Sequence, residues 1–446
     1  MARVLFSPIG DTDPIRNCYD GACLHIVRHY QPDKVILFLT KTMSDMERKN
    51  HCYSRAIKHV APACQIEIIY TDIVAAHLYD SFINILPSEV HKINTGDDEI
   101  LLNLSSGTPQ IKTMMAILSV ESNLRGIQVV SPNKASNSQT PHMTADDDVE
   151  AMLLNNFDDD PEAENRCQEP PLRTIRAFGE RQRLLSLIDM YEYAGAYSLA
   201  RGSSNVSQEV KDILHHAVLR QKMLKTEARK VLSSIDGIKL FPSVSNIKNK
   251  SQQEKIENLI EYLLNVVVTQ HKGYIGELLV KSNSYLSELL QYHINNNSQL
   301  SLRECMNGEK ISASKLRSRY VELFERLDRD FADGFRDSAP NIGVLCTICC
   351  YIDEQGLLKN QEPYGQVVDL LHKLAANDGF RKMRNSAAHN IANTNEERLR
   401  SVIGISSQEL LHLLVKLSDI ILPVDARKAS SIYNVLNHAI EARLKA

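Results

Sequence analysis

The chain has 446 residues, 43% of them hydrophobic and 24% charged, with a formal net charge of -4. That is the composition of a globular protein, and the length exceeds one ordinary core. The slight acidity excludes a broad basic surface that grips long nucleic acid, while leaving room for a local pocket that takes a small anion. No stretch approaches the roughly 18 uninterrupted apolar residues of a membrane helix, and the N-terminal segment soon meets Pro8, so neither a membrane span nor a signal peptide is expected. The nine cysteines are odd in number and several lie in apolar runs such as Val344–Cys350, as reduced core thiols of a cytoplasmic protein would. Cys346-x-x-Cys349 has no second pair at ligand spacing and is expected to be structural.

In chain order, β-rich runs stand at Val4–Ser7, Lys34–Leu39, Gln65–Tyr70, Glu99–Leu104 and Gly126–Val130, most of them separated by stretches able to hold a helix. Apolar strands linked by helical crossovers imply a parallel sheet covered on both faces, so residues 1–140 are expected to form an α/β Rossmann-like domain with its ligand at the carboxyl ends of the strands. Residues 141–171 are acidic and punctuated, with Asp146–Asp148, Asp158–Pro161 and Pro170–Pro171, and read as a linker. Residues 172–446 carry 3.6-period patterns such as Ile256, Leu259, Ile260, Leu263 and read as an all-α domain. Tyr191, Tyr193 and Tyr197 are expected in core or interface positions and not as a base-stacking platform.

Two loops of the first domain carry chemistry. After the first strand, Gly10 permits a tight turn and Thr12 and Asp13 can bond sugar hydroxyls or cap the next helix. The absence of a G-x-G-x-x-G fingerprint and of a P-loop removes the dehydrogenase and NTPase readings. After the fourth strand, Ser105-Ser106-Gly107-Thr108-Pro109-Gln110 leads into a helix with Lys112 one turn inside. Free amides at a helix N-terminus, hydroxyls and a lysine suit an anion; a plain capped helix is the competing reading.

The stretch from Asn17 to Lys34, with Thr12–Ile15 and Leu102–Gln110, resembles the Csm-type accessory ribonucleases of type III-A CRISPR systems, which join a CARF (CRISPR-associated Rossmann fold) domain to a HEPN domain. The resemblance implies that the CARF domain senses cyclic oligoadenylate and that the loop Ser106, Gly107, Thr108, Pro109 and Gln110 contacts it; with the residues read above, Gly10, Thr12, Asp13, Ser105 and Lys112 complete the expected ligand-binding set. Likeness to streptococcal-like members favours cyclic hexaadenylate over cyclic tetraadenylate. Asp11 departs from the small or hydroxyl residue of relatives and places a carboxylate near a polyphosphate. Some relatives slowly cleave their activator, for which Thr108 with Thr12 or Asp13 are the residues expected here.

The HEPN signature, arginine, four residues, then histidine, reads Arg384-Asn385-Ser386-Ala387-Ala388-His389. With 15 histidines in the chain a chance match is unsurprising, and its weight comes from lying late in a helical region behind an N-terminal half that resembles the same family. On a helix, positions five apart differ by about 140° around the axis and about 7.5 Å along it, so one Arg384–His389 pair is not compact, whereas two copies across a two-fold axis build one cleft. A homodimer is therefore expected. Such groups suit cleavage of single-stranded RNA by its own 2'-hydroxyl, with His389 as acid or base, Arg384 stabilising the phosphorane and Asn385 orienting. No metal, no other cofactor and no stable DNA binding are expected; the remaining histidines show no ligand spacing. The rival is a non-catalytic nucleotide-sensing regulator with a helical DNA- or protein-binding module, for which Lys315–Arg319 is basic but is followed by Glu322, Glu325, Asp328 and Asp330.

Overall fold

Apolar side chains on alternate positions of a strand point to opposite faces, so a run without polar interruption must be covered twice. The computed structural model, which describes residues 2–94, 96–132, 148–244, 246–331, 333–359, 365–375, 378–389 and 394–445, meets that demand. β1 (Arg3–Pro8) is followed by a short antiparallel ribbon of β2 (Ile15–Arg16) and β3 (Tyr19–Asp20), then α1 (Ala22–Tyr30) and β4 (Lys34–Leu39). Next come α2 (Lys41–Asn50), α3 (Cys52–Val60), β5 (Gln65–Tyr70), α4 (Ile85–Ile93), β6 (Glu99–Asn103), α5 (Pro109–Glu121) and β7 (Arg125–Val129). The sheet order is β5-β4-β1-β6-β7-β8, the first five strands parallel. Leu5, Val35, Leu37 and Leu101 pack to one side with α1 and α3. Phe6, Ile36, Phe38 and Leu102 pack to the other with Leu86 of α4 and Met115 of α5. Each such fully buried side chain contributes roughly 1.5–3 kcal/mol.

Residues 148–168, read from sequence as part of a linker, are not a spacer. α6 (Val149–Leu154) packs on α3 and buries Val149 and Leu153 in the core on that face of the sheet, and β8 (Cys167–Gln168) adds to β7 antiparallel, Gln128 opposite Gln168. The acidity has an internal use: Asp158 is buried and takes the Arg166 guanidinium at 2.5 Å. Residues 133–147, including Asp146 and Asp147, lie outside the described residues.

The chain divides into two compact units, 1–179 and 180–446, and α7 (Arg173–Asp189) runs through the division. The second unit continues with α8 (Tyr193–Gly202), α9 (Gln208–Gln221), α10 (Lys225–Val231), the ribbon β9 (Ser234–Ile235) and β10 (Ile238–Lys239), α11 (Lys250–His271) and α12 (Ile275–Asn297). After the ribbon β11 (Met306–Asn307) and β12 (Lys310–Ile311) come α13 (Ala313–Arg319), α14 (Val321–Asp330), α15 (Ile342–Glu354), α16 (Gly365–Ala375), α17 (Asp378–His389), α18 (Glu396–Ile403), α19 (Ser407–Ile421), α20 (Ala426–Ser430) and α21 (Ile432–Lys445). The unit is thus mostly helical, and the all-α expectation is corrected by the two ribbons, where Gly237 at φ +77° and Gly308 at φ +59° supply the left-handed turns that tight hairpins need.

Its largest core lies between α11, α12, α15 and α19, with Ile256, Leu259, Ile260 and Leu263 buried at the helical spacing read from sequence. A second core joins α8 and α9 to α21, where Tyr193 is fully buried and stacks on Tyr433 at 5.3 Å, so the tyrosines there are packed residues. Cys346, Cys349 and Cys350 of α15 are buried thiols outside any disulfide, with burial pushing the Cys346 thiol up to about 12. Among the described residues no helix is long and apolar enough to cross a membrane.

Candidate functional site

Two cavities open at the carboxyl ends of the parallel strands, and a contact between two glycines lies in the lining of the first. Gly10 follows β1 and Gly107 follows β6; a Cβ on Gly10 would stand 2.6 Å from the Gly107 nitrogen and 2.8 Å from its Cα, so the loops approach backbone to backbone. The first cavity, about 340 Å³, is lined by Gly10, Asp11, Asp13, Gly107 and Thr108 together with Thr40 after β4 and Met43 of α2. The second, about 310 Å³, is lined by Thr12, Ser105 and Lys112, with Arg16, Tyr19 and Arg166. Lys112 and Arg16 stand on the second, whose Arg166 is paired with Asp158 and whose Asp20 is paired with Arg28, so the cationic balance makes it the more favourable place for phosphate.

The expected ligand residues divide by role. Asp13 is 2% exposed, and its carboxylate accepts the Gly10 N–H at 3.0 Å and the Cys23 N–H at 3.0 Å. Burial raises its pKa against the lowering effect of those donors, of Ser106 and of Lys112. Asp13 therefore ties the β1 loop to the start of α1, and its two oxygens are used within the fold. Ser106 is wholly buried, accepting the Asn103 amide at 2.8 Å, and Asn103 donates at the same distance to Ser7. The loop's polar interior is thus self-satisfied, as buried polar groups must be. Thr108 caps α5, accepting the Ile111 N–H at 3.5 Å and donating its hydroxyl to Ala76 O at 2.7 Å. Ser105 accepts from Val129 N at 2.8 Å, pinning the loop to β7. Pro109 begins α5, and neither it nor Gln110 lines a cavity, whereas Lys112 is exposed on the second. The structure thus places Ser106 beneath the cavity floor and leaves Asp13, 2% exposed, at the edge of the first cavity with both oxygens already bonded, and the sequence reading missed Thr40, Arg16, Tyr19 and Arg166. Thr40 stands at a strand end, which is a usable signal; Arg166 lay in a segment dismissed as linker.

Behind the second cavity lies a buried network. Arg28 grips Asp20 at 2.7 and 3.1 Å, Asn156 donates to Asp20 at 2.7 Å, and the Asp20 N–H donates to Asp158 at 2.7 Å. Burial would raise the Asp20 pKa, but His25, Arg28 and Asn156 prevail and hold it down to about 2. The Arg166 N–H donates to His25 Nε2 at 3.0 Å, and His25 Nδ1 stands 3.2 Å from the Arg166 guanidinium, 3.5 Å from Asp20 and 3.7 Å from Asp158. Among the described residues these three form the group with metal-ligand geometry, but two guanidiniums already neutralise its carboxylates, so the donor set does not fit a cation.

In the second unit, Arg384 and Asn385 lie on α17, whose last residue is His389. Phe380 and Met383 are buried, and Ala387 lies against α12, where a Cβ on Gly276 would stand 3.7 Å from the Ala387 Cβ. Arg384 is half-buried; its Nε is inaccessible and has no hydrogen-bond partner among the described residues. Asn385 is exposed. The His389 side chain lies outside the described residues, so its helix register alone is given.

A parallel sheet with cavities at its strand ends, followed by a helical unit bearing an Arg-x4-His helix, defines the class of CARF–HEPN proteins. Family models agree: the Csm6 CARF domain matches residues 65–167, the Csm6 6H domain 170–221 and the Csm6 HEPN domain 247–441. The CRISPR system endoribonuclease Csm6 of Enterococcus italicus is 28% identical over 412 residues, covering 89% of this chain and 90% of that protein. The endoribonuclease Csm6' of Streptococcus thermophilus is 30% identical over 312 residues, covering 65% and 79%. A solved structure of Enterococcus italicus Csm6 bound to cyclic hexa-2'-fluoro-hexa-dAMP shares the fold with a TM-score of 0.60 at 21% identity, covering 99% of this chain and 100% of that one. The chain belongs to the Csm6 family of CRISPR system endoribonucleases.

Proposed function

We propose that this protein is a metal-independent endoribonuclease of type III CRISPR antiviral defence, acting on single-stranded RNA in the cytoplasm as a homodimer and activated by cyclic oligoadenylate. The observation that carries the reading is the register of Arg384, Asn385 and His389 on one uninterrupted helix, inside the region matched by the HEPN model. The ribose 2'-hydroxyl attacks the adjacent phosphorus, the bond to the 5'-oxygen breaks, and the products are a 2',3'-cyclic phosphate and a 5'-hydroxyl. An internal nucleophile needs no metal-bound water. His389 takes the proton from the 2'-hydroxyl or returns one to the leaving oxygen, and two copies across a two-fold axis supply both. Arg384, its Nε buried and without a hydrogen-bond partner among the described residues, offers its terminal donors to the developing phosphorane charge.

The strand-end cavities are the activator's place. Each has the size that holds a fragment of such a ring, so a ring engages two copies. The hexameric ring bound by the Enterococcus relative supports cyclic hexaadenylate over cyclic tetraadenylate. Slow loss of the activator in the cavity belongs to the same reading: the Thr108 proton is committed to Ala76 O, so Thr108 positions the ring and is not its base. The DNA-binding rival has less support, because Arg319 pairs with Glu304 and Arg317 lies over Phe324 at 5.4 Å, which engages the basic run of α13 inside the unit. The test is cleavage in excess chelator of an RNA with one 2'-deoxynucleotide at the preferred site. Cyclic-phosphate ends on the unmodified RNA and none at the modified position are expected; 3'-hydroxyl ends or metal dependence would refute the chemistry.

A further inference from the structure

The two motif residues leave an arc of α17 between them, and what stands on that arc is determined by the helix register. At about 100° per residue, with Arg381 as origin, Arg384 lies near -60°, Ala388 near -20°, Asn385 near +40°, residue 389 near +80° and Lys382 near +100°. The opposite arc, from about -100° to -160°, holds Phe380, Ala387 and Met383, with Phe380 and Met383 buried and Ala387 against α12. Exposure agrees position by position, since Arg381, Lys382, Asn385 and Ala388 are all exposed. Arg381 therefore sits between the two motif positions, about 4.5 Å along the axis from Arg384 toward the N-terminus, and Lys382 sits beside it.

α17 opens on Asp378, near +60° on the same arc, and from Gly379 to His389 it carries no further carboxylate. A polyanion meets three cations within about one turn, Arg381, Lys382 and Arg384. Ala388, at the middle of the arc, presents only a methyl group and leaves room for a backbone to lie along it. We infer that Arg381 and Lys382 are a phosphate-binding extension of the Arg384–His389 site, gripping RNA phosphates next to the one that is cleaved. The inference rests on the ribonuclease reading above and adds to it the direction in which substrate crosses the helix. The two residues are positioning residues, because they touch phosphates that do not react.

The test separates binding from turnover. Affinity for a fluorescent single-stranded RNA is measured by anisotropy in a His389→Ala background, and kcat and KM by cleavage in the wild-type background, with saturating cyclic hexaadenylate and a series of salt concentrations. Arg381→Gln with Lys382→Gln is expected to weaken RNA binding on the order of tenfold near 0.15 M salt. The slope of log affinity against log salt should become shallower by about 1.4, about 0.7 for each lost phosphate contact on a single strand. The cost should fall on KM, with kcat at saturating RNA retained, and Arg381→Lys should restore the slope. Lys382→Gln alone, at an exposed position, should lower the slope by about 0.7. Unchanged affinity and slope would overturn the inference, as would a fall in kcat at constant KM. A wild type that binds RNA with the expected salt dependence yet never cleaves it would sink the ribonuclease reading and leave this one standing.

Discussion

Gly10→Ala should part the two loops that meet in the lining of the first strand-end cavity. The added methyl would stand 2.6 Å from the Gly107 nitrogen where ordinary contact begins at 3.4 Å, a shortfall of about 0.8 Å against backbone that cannot rotate away. Gly107 is itself held at φ +90°, and a Cβ on it would already be 3.1 Å from Ile111, so retreat toward α5 is blocked. The loop must then move on the β1 side, which lengthens the 3.0 Å bond from the Gly10 N–H to Asp13 and loosens the cap on α1. Overpacking of this kind costs about 1–3 kcal/mol, and if most of it is relieved by the ligand-binding geometry the affinity for the ring falls about tenfold or more. Titration calorimetry with cyclic hexaadenylate reads the affinity, thermal unfolding reads the stability, and RNA cleavage across ring concentrations should show activation recovered at a higher dose. Wild-type affinity together with a wild-type melting temperature would show that the close approach of the loops does not shape the cavities.

Other perturbations probe the rest of the account. Arg220 of α9 is 1% exposed, bonds Glu261 of α11 through Nε at 2.9 Å and through a terminal nitrogen, and donates to Leu240 O at 2.6 Å; Glu261→Gln leaves that charge uncompensated and should cost about 3–5 kcal/mol in a denaturant titration, an unchanged midpoint arguing against it. His216 and His293 are buried, and desolvation lowers each pKa from 6.5 to about 4. The unfolded chain binds these protons first, so their contribution is present above pH 6.5 and is lost as pH falls from there to about 4, roughly 3 kcal/mol for each; His216→Phe should flatten this part of the stability profile, and an unchanged profile would refute its share. Thr108→Ala removes the N-cap of α5 and should cost about 1 kcal/mol while slowing loss of the ring; an unaltered rate of ring loss with binding intact would remove Thr108 from that step.

Lys34–Leu39 was legible because a doubly covered strand has no polar position to interrupt it, and Gln65–Tyr70, an edge strand exposed or half-buried along its length, because of its isoleucine-rich run between turn residues; both have the expected bounds. β8 escaped because two residues carry no period, and because its partner in the core, Asp158 with Arg166, reads in sequence as two ordinary surface charges. Ser106 read as a ligand hydroxyl because its type and place at a strand end suit one; its burial under Asn103 depends on Ser7, 99 positions earlier in the chain. The separation of the 6H region from HEPN was invisible for a related reason: both are helices with the same apolar period, and the packing that joins Tyr193 to Tyr433 spans most of the unit. Arg384 and Asn385 could be placed in advance because a helix register follows from counting, and counting does not reveal what covers them.

The most direct test of the central claim is cleavage of a fluorogenic RNA, in chelator, by wild type and His389→Ala while cyclic hexaadenylate and cyclic tetraadenylate are titrated separately. The account predicts cleavage by the wild type alone, stimulated by the hexameric ring; cleavage that persists in the folded His389→Ala dimer, or a folded wild-type dimer that neither ring activates, would contradict it.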